Sequence, residues 1–303
     1  MTAQLKRRLL LAAGATFPLF AQAEKKENSK TAASSKPALN AKPQVVKVGL
    51  ALGGGSARGF AHIGVIQALE KHKIRPDLVV GTSAGSIIGA FYAAGFSGAQ
   101  MEEVALKIKD FEVADLSIGS KRGMVVGNAL QNLVNQYVQN RPIESLALPF
   151  GALATNLLTG KPMLFRSGNT GFAVRASSSM PGIFIPARQG ADEFVDGGLI
   201  SPLPVQEAKK MGADFVIAVD VSSQQDNLNL HGMFELLMQS FDIMGQSLIR
   251  MQAEKADVLI RPDVKRFTST DFTARSELIA AGYQAGMKAI PQIKEMLAAA
   301  QRQ

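Results

Sequence analysis

VVKVGLALGGGSARGFAHIGVIQALEKHKIRPDLVVGTSAGSIIGAFYAA, running from Val45 to Ala94, decides the fold. Val45 to Leu52 is a short β-rich run that ends in glycines, and it reads as a buried strand feeding a loop. Phe60 to His72 carries Ile63, Ile66 and Leu69 at helical spacing. Leu78 to Val80 gives a second strand, and Ser86 to Ala94 a second helix. Strand, helix, strand and helix in this order imply parallel strands joined by right-handed crossovers.

Downstream, Met101 to Lys109 and Gly127 to Val138 read as helices. Phe150 to Leu158 and Pro162 to Phe165 read as strands reversed by the turn Thr159-Gly160-Lys161, which makes the sheet mixed. Phe215 to Val221 and Val258 to Ile260 are further buried strands, and Met233 to Met251 and Glu277 to Leu297 further helices. No internal repeat interrupts this pattern. With 303 residues, 47% of them hydrophobic, one large α/β domain over 45–303 can bury a sizeable core.

Upstream the character changes. Lys6, Arg7 and Arg8 precede a mostly apolar run from Leu9 to Phe20 that is too short to span a bilayer, and Ala21-Gln22-Ala23 follows. Residues 1–23 are therefore expected to be an export signal cleaved after Ala23, with the mature protein in the periplasm or secreted. Residues 24–44 are rich in Lys, Ser, Ala, Asn and Pro, and are expected to be a disordered linker. The formal net charge of +8 is concentrated here. Residues 1–44 hold eight Lys/Arg against two Glu, a net of +6, which leaves +2 for residues 45–303. A nearly neutral folded part does not support a nucleic-acid partner.

Three stretches carry chemistry. Gly81-Thr82-Ser83-Ala84-Gly85 fits the nucleophile elbow G-x-S-x-G and sits between an expected strand and an expected helix. The tight turn needs its glycines and thrusts the serine out at the strand end. Gly53-Gly54-Gly55-Ser56-Ala57-Arg58-Gly59 is a loop able to aim backbone N–H groups at an anion, either a phosphate or a reaction oxyanion. It fails as a dinucleotide fingerprint, because Arg58 stands at the last glycine position counted from Gly53, and no Gly-Lys-Ser/Thr follows to make a P-loop. The elbow beginning just downstream favours the oxyanion reading. Asp196-Gly197-Gly198 follows the short strand Glu193-Phe194-Val195 and can hold a carboxylate at a sheet edge; taken alone it is equally a turn.

Together, and in this order, these stretches resemble the patatin-like phospholipases: Gly53 to Val65, Gly81 to Ser86 and Asp196 to Gly198, supported by Arg175-Ala176-Ser177-Ser178-Ser179-Met180-Pro181-Gly182-Ile183-Phe184 and by Val195 to Val221. The resemblance covers about residues 45 to 260. It implies a three-layer α/β/α sandwich around a mixed, mainly parallel sheet, and a lipid acyl hydrolase working at a membrane surface without metal or cofactor. Ser83 would be the nucleophile and Asp196 its general base. Gly53, Gly54 and Gly55 would form the oxyanion hole, and Arg58 would order that loop or bind a lipid phosphate. Ser56 departs from the pattern, since many members carry glycine there.

The chain has three histidines. His62 reads as capping or packing and His72 as solvated. His231 follows Asp196, so the order Ser83, Asp196, His231 would suit a Ser-Asp-His triad; the Gly232 and long helical pattern behind it favour a helix start instead. Met233, Leu237, Phe241, Met244, Leu248 and Met251 form an apolar stripe, read as core-facing, or else as an acyl-chain wall or an oligomer face. Two other functions compete with the hydrolase: a non-catalytic interaction module that keeps the fold, and a nucleotide binder.

Overall fold

The computed structural model describes residues 45–109, 115–117, 119–222 and 232–302. The expected export signal, the expected linker and His231 lie outside the described residues.

Apolar runs of β-branched residues produce the central strands. β1 (Val48–Leu52), β2 (Leu78–Thr82) and β7 (Phe215–Val219) are buried along their whole length, as parallel strands covered on both faces must be. They pair in parallel, β2 and β7 flanking β1, and β8 (Val258–Ile260) extends the sheet beyond β7. On the other side β3 (Phe150–Asn156) joins β2 in parallel. Three antiparallel pairings then make the sheet mixed: β4 (Pro162–Phe165) and β6 (Asp192–Asp196) on β3, and β5 (Ala187–Gln189) on β6.

Side chains alternate between two cores. Leu50, Leu52, Val79, Ile217 and Val219 face one core, which also takes residues of α1 (Ala61–Lys71), α2 (Ala84–Ala93), α3 (Gly98–Lys107), α4 (Asn128–Tyr137), α5 (Thr170–Ser177) and α8 (Arg275–Ala300). Ala51, Val80, Val216 and Ala218 face the second core, with α6 (Val205–Lys210) and Ile249 of α7 (Met233–Ala253). The α7 stripe read as core-facing is not: Met233, Leu237, Met244 and Met251 are exposed, and the helix meets the core through Ile249 instead. The architecture is the expected three-layer α/β/α sandwich. The α1–α8 contact is close enough that a Cβ at Gly64 would run into the Ile279 carbonyl, and one at Gly282 into that of Ala61.

One detail of register positions the site. Leu153 pairs with both Thr82 and Leu164, and Ala154 with both Met163 and Asp196. A residue has only two strand edges, so β4 lines one edge of β3 while β2 and β6 share the other. They meet there C-terminus to C-terminus, Thr82 opposite Leu153 and Asp196 opposite the next residue, Ala154. The residue after Thr82 is Ser83. The sheet thus brings together two groups 113 positions apart in the chain.

Candidate active site

Ser83 stands between β2 and α2 with φ 54° and ψ −125°, a conformation costing a non-glycine residue on the order of 1–3 kcal/mol. Its surroundings hold it there. Gly81 has no room for a Cβ against the Gly85 carbonyl, nor Gly85 against that of Leu52. The Ser83 N–H donates to Ser177 Oγ at 2.9 Å. Its carbonyl accepts from the Ser86 N–H at 2.8 Å and from Ser86 Oγ at 2.7 Å.

Asp196 ends β6 and is only 2% exposed. Its N–H donates to the Ser179 carbonyl at 2.9 Å, and its carbonyl accepts from Thr155 Oγ1 at 2.9 Å. Oδ1 accepts from the Gly198 N–H at 2.7 Å. That bond explains the paired glycines: Gly197 has no room for a side chain against the Leu153 carbonyl, and Gly198 turns its N–H back on the carboxylate. Burial raises the Asp196 pKa to about 6, against the lowering effect of the Ser83 hydroxyl and the Gly198 N–H. Oδ2 has no partner of ordinary hydrogen-bond geometry. The two observations agree if the hydroxyl lies near Oδ2 but off the line of a well-formed bond.

The glycine loop follows β1 and lies directly beside Ser83. A Cβ built on Gly54 would sit 3.4 Å from that of Ser83. The three glycines differ in what their amides do. The Gly53 N–H donates to the Val219 carbonyl at 3.0 Å, and the Gly54 N–H to that of Pro202 at 2.9 Å. These two amides hold the loop on β7 and on the Pro202 turn, so they are not available to an oxyanion as expected from sequence. The Gly55 N–H makes no such bond among the described residues. Ser56 opens the 3-10 turn Ser56–Phe60 and Ala84 opens α2, so neither N–H has an intrahelical acceptor. Ser56 sits at φ 51°, a position that suits glycine.

Arg58 is 5% exposed, with Nε directed at the Gly55 carbonyl at 3.5 Å. Burial lowers its pKa, and Asp242 of α7 and then Asp220 raise it. The guanidinium is thus buried against the loop it follows. His62 is fully buried on α1. Since a carbonyl only accepts, His62 Nε2 carries the proton donated to the Gly53 carbonyl at 2.8 Å. Burial lowers its pKa to about 4, so the ring is neutral and serves the loop rather than Asp196. His72, expected to be solvated, has a buried Nε2 without a partner.

The family model of the patatin-like phospholipases matches residues 50–209. The chain belongs to that family. Among curated relatives it is 36% identical over 185 residues to an uncharacterized NTE family protein of Mycobacterium tuberculosis, covering 59% of this chain and 50% of that one. It is 35% identical over 185 residues to Lysophospholipase NTE1 of Debaryomyces hansenii (59% and 12%), and 37% identical over 194 residues to the Patatin-like phospholipase domain-containing protein 6 of Homo sapiens (61% and 14%). The chain spans half or less of the length of these relatives. Sequence had pointed to Ser83, Asp196 and the glycine loop, and the sheet brings them together. It had given no role to Ser177, which holds the Ser83 N–H, or to Ser179 and Thr155, which hold the main chain of Asp196. The run Arg175 to Phe184 was visible as part of the resemblance, but nothing in its composition told which serine faces the elbow.

Proposed function

We propose that this protein is a serine acyl hydrolase that cleaves carboxylic esters of phospholipids or lysophospholipids through a Ser83–Asp196 dyad and an acyl-enzyme. The observation that carries the reading is the meeting of β2 and β6 on one edge of β3. It sets a strained serine against a buried carboxylate whose pKa of about 6 suits a base near neutral pH.

Asp196 takes the Ser83 proton as Oγ attacks the ester carbonyl. The developing oxyanion falls to the N–H groups of Gly55, Ser56 and Ala84, one such donor being worth about 3 kcal/mol in comparable sites. The tetrahedral adduct collapses, the C–O bond breaks, and Asp196 returns the proton to the leaving alcohol. A water deprotonated by Asp196 then attacks the acyl-enzyme and frees the fatty acid and Ser83. No described histidine faces Asp196, since His62 is engaged with Gly53. The lysophospholipase and phospholipase names among the relatives favour a lipid substrate, and the enzyme meets it at a membrane surface. No described helix is long and apolar enough to cross a membrane. The basic stretch Lys6-Arg7-Arg8 and the Ala21-Gln22-Ala23 pattern support a mature protein outside the cytoplasm; an intact Met1 on protein recovered from the cytosolic fraction would refute that location.

A fluorophosphonate probe should modify Ser83 with one label per chain, and Ser83→Ala should lose both the label and ester hydrolysis. Unchanged turnover by folded Ser83→Ala refutes the function.

A further inference from the structure

The nucleophile and its base sit on different strands, and their separation decides whether a proton can pass between them. Each is gripped from the same short piece of chain. Ser177, the last residue of α5, is fully buried. Its Oγ accepts the Ser83 N–H at 2.9 Å and donates its own proton to the Leu153 carbonyl at 2.6 Å. Two residues on, the Ser179 carbonyl accepts the Asp196 N–H at 2.9 Å, and Ser179 Oγ is tied back to the Arg175 carbonyl at 2.8 Å. Leu153 itself pairs with Thr82, and its neighbour Ala154 with Asp196.

We propose that the turn Ser177-Ser178-Ser179 is a crossbar that sets the distance between the nucleophile and its base, with Ser177 as the positioning residue for Ser83. The inference rests on the Ser83–Asp196 reading above and adds to it a residue that never touches the substrate.

The chemistry of the hydroxyl explains why a serine is needed. The Ser83 N–H points away from any helix or strand partner, because the residue adopts φ 54° at the junction of β2 and α2. A buried N–H without an acceptor is costly. A main-chain carbonyl at the place of Ser177 Oγ could accept that N–H but could not also donate to Leu153. One hydroxyl does both, and so links the elbow to Leu153 of β3, next to Ala154, which pairs with Asp196. Without it the elbow can relax toward an ordinary backbone conformation, which draws Ser83 Oγ from the Asp196 carboxylate. Displacements of about 1 Å at a reacting group can lower turnover by roughly 100-fold.

The consequence differs from a loss of folding. The Ser83 hydroxyl lowers the Asp196 pKa, so moving it away raises that pKa and carries the acid limb of kcat/KM to higher pH. Ser177→Ala should lower kcat by about tenfold to 100-fold, leave KM within about twofold, and slow fluorophosphonate labelling of Ser83 by a similar factor. The acid limb should move upward, and Ser177→Thr, which keeps the hydroxyl, should hold it at the parent position. Parent-like kcat, labelling and acid limb in folded Ser177→Ala overturn the inference. So does a loss of activity with the acid limb unmoved, because a merely structural hydroxyl would act that way. If Ser177→Ala does not fold, Ser177→Cys, with a thiol that is a weak donor and acceptor, must show the same slowed labelling and raised limb, and parent-like values there overturn it. A parent that takes no label at Ser83 overturns instead the function on which this rests.

Discussion

Replacing Asp196 by asparagine should stabilise this protein at neutral pH while it stops hydrolysis. Burial raises the Asp196 pKa from 3.8 to about 6, so the folded state holds its proton where the unfolded chain has released it. A raised pKa is a stabilising contribution present below about pH 4 and lost as pH rises through about 6. A shift of about two units corresponds to about 3 kcal/mol. Above pH 7 the ionised, desolvated carboxylate is therefore a cost of about that size to the fold, kept for chemistry. Asparagine fills the same space, can keep an oxygen on the Gly198 N–H, and carries no charge. The quantity to measure is the difference in unfolding free energy between Asp196→Asn and the parent, by urea titration from pH 4 to pH 8. That difference should grow in favour of the variant by about 3 kcal/mol across the range, whatever its value at pH 4. His62 makes the contrast sharper. Its pKa is lowered from 6.5 to about 4, so its contribution is present above pH 6.5 and lost as pH falls through 4. In the parent the two slopes oppose each other and largely cancel between pH 4 and 6.5. Asp196→Asn removes one and exposes the other, giving a stability that climbs with pH. A gap between variant and parent that stays constant with pH, or that closes as pH rises, would falsify the claim that Asp196 is held against its own ionisation.

The same carboxylate should give kcat/KM an acid limb near pH 6, read from initial rates on a soluble ester between pH 4.5 and 8; a limb near pH 4 would show an ordinary, solvated aspartate. His62→Leu should cost roughly 1–3 kcal/mol by leaving the Gly53 carbonyl buried without its donor, and chemical denaturation at pH 8 measures it directly. Gly85→Ala should prevent or severely weaken folding, since its Cβ meets the Leu52 backbone rather than a side chain that can move; a soluble variant with parent-like melting is the contrary result. His231→Ala should keep most of its ester hydrolysis while folded Asp196→Ala loses it by orders of magnitude, and equal loss in both would call for a triad.

The fold was legible where one segment carried its own signal. Val45 to Ala94 announced two parallel strands and two helices because the strands are buried on both faces and the helices keep a clear period. The long helices at 233–253 and 275–300 were readable from their period, and the reversal at 159–161 from the turn Thr159-Gly160-Lys161 between two short strand-like runs. β5 was not, because Ala187-Arg188-Gln189 exposes two polar residues, whereas β8, equally short, is wholly apolar; α6 was not, because six residues show too little of a helical period. α5 hid for another reason: Ala, Gly, Ser and Thr occupy much of its length, so no apolar stripe marks it.

The limits of reading the site are of the same kind. Ser83, Asp196 and the glycine loop are visible because the local backbone demands unusual residues: glycine where a carbonyl presses close, serine at a strained turn. What sequence assigned wrongly within the loop was which amides remain available. Gly53, Gly54 and Gly55 are identical as letters, and only the partners at Val219 and Pro202 separate the two that hold the loop from the third, which has no such partner among the described residues. Those partners arrive from β7 and from the turn before α6, some 150 residues away in the chain, and no local pattern records them. Ser177 is the same case at greater reach. Its hydroxyl is one among three consecutive serines, and it acquires meaning only when β2 and β6 come to share an edge of β3. Residues that do chemistry tend to distort their own neighbourhood and so leave a trace in the sequence. Residues that position them act across the fold through ordinary hydrogen bonds, and become readable only once the register of the sheet is known.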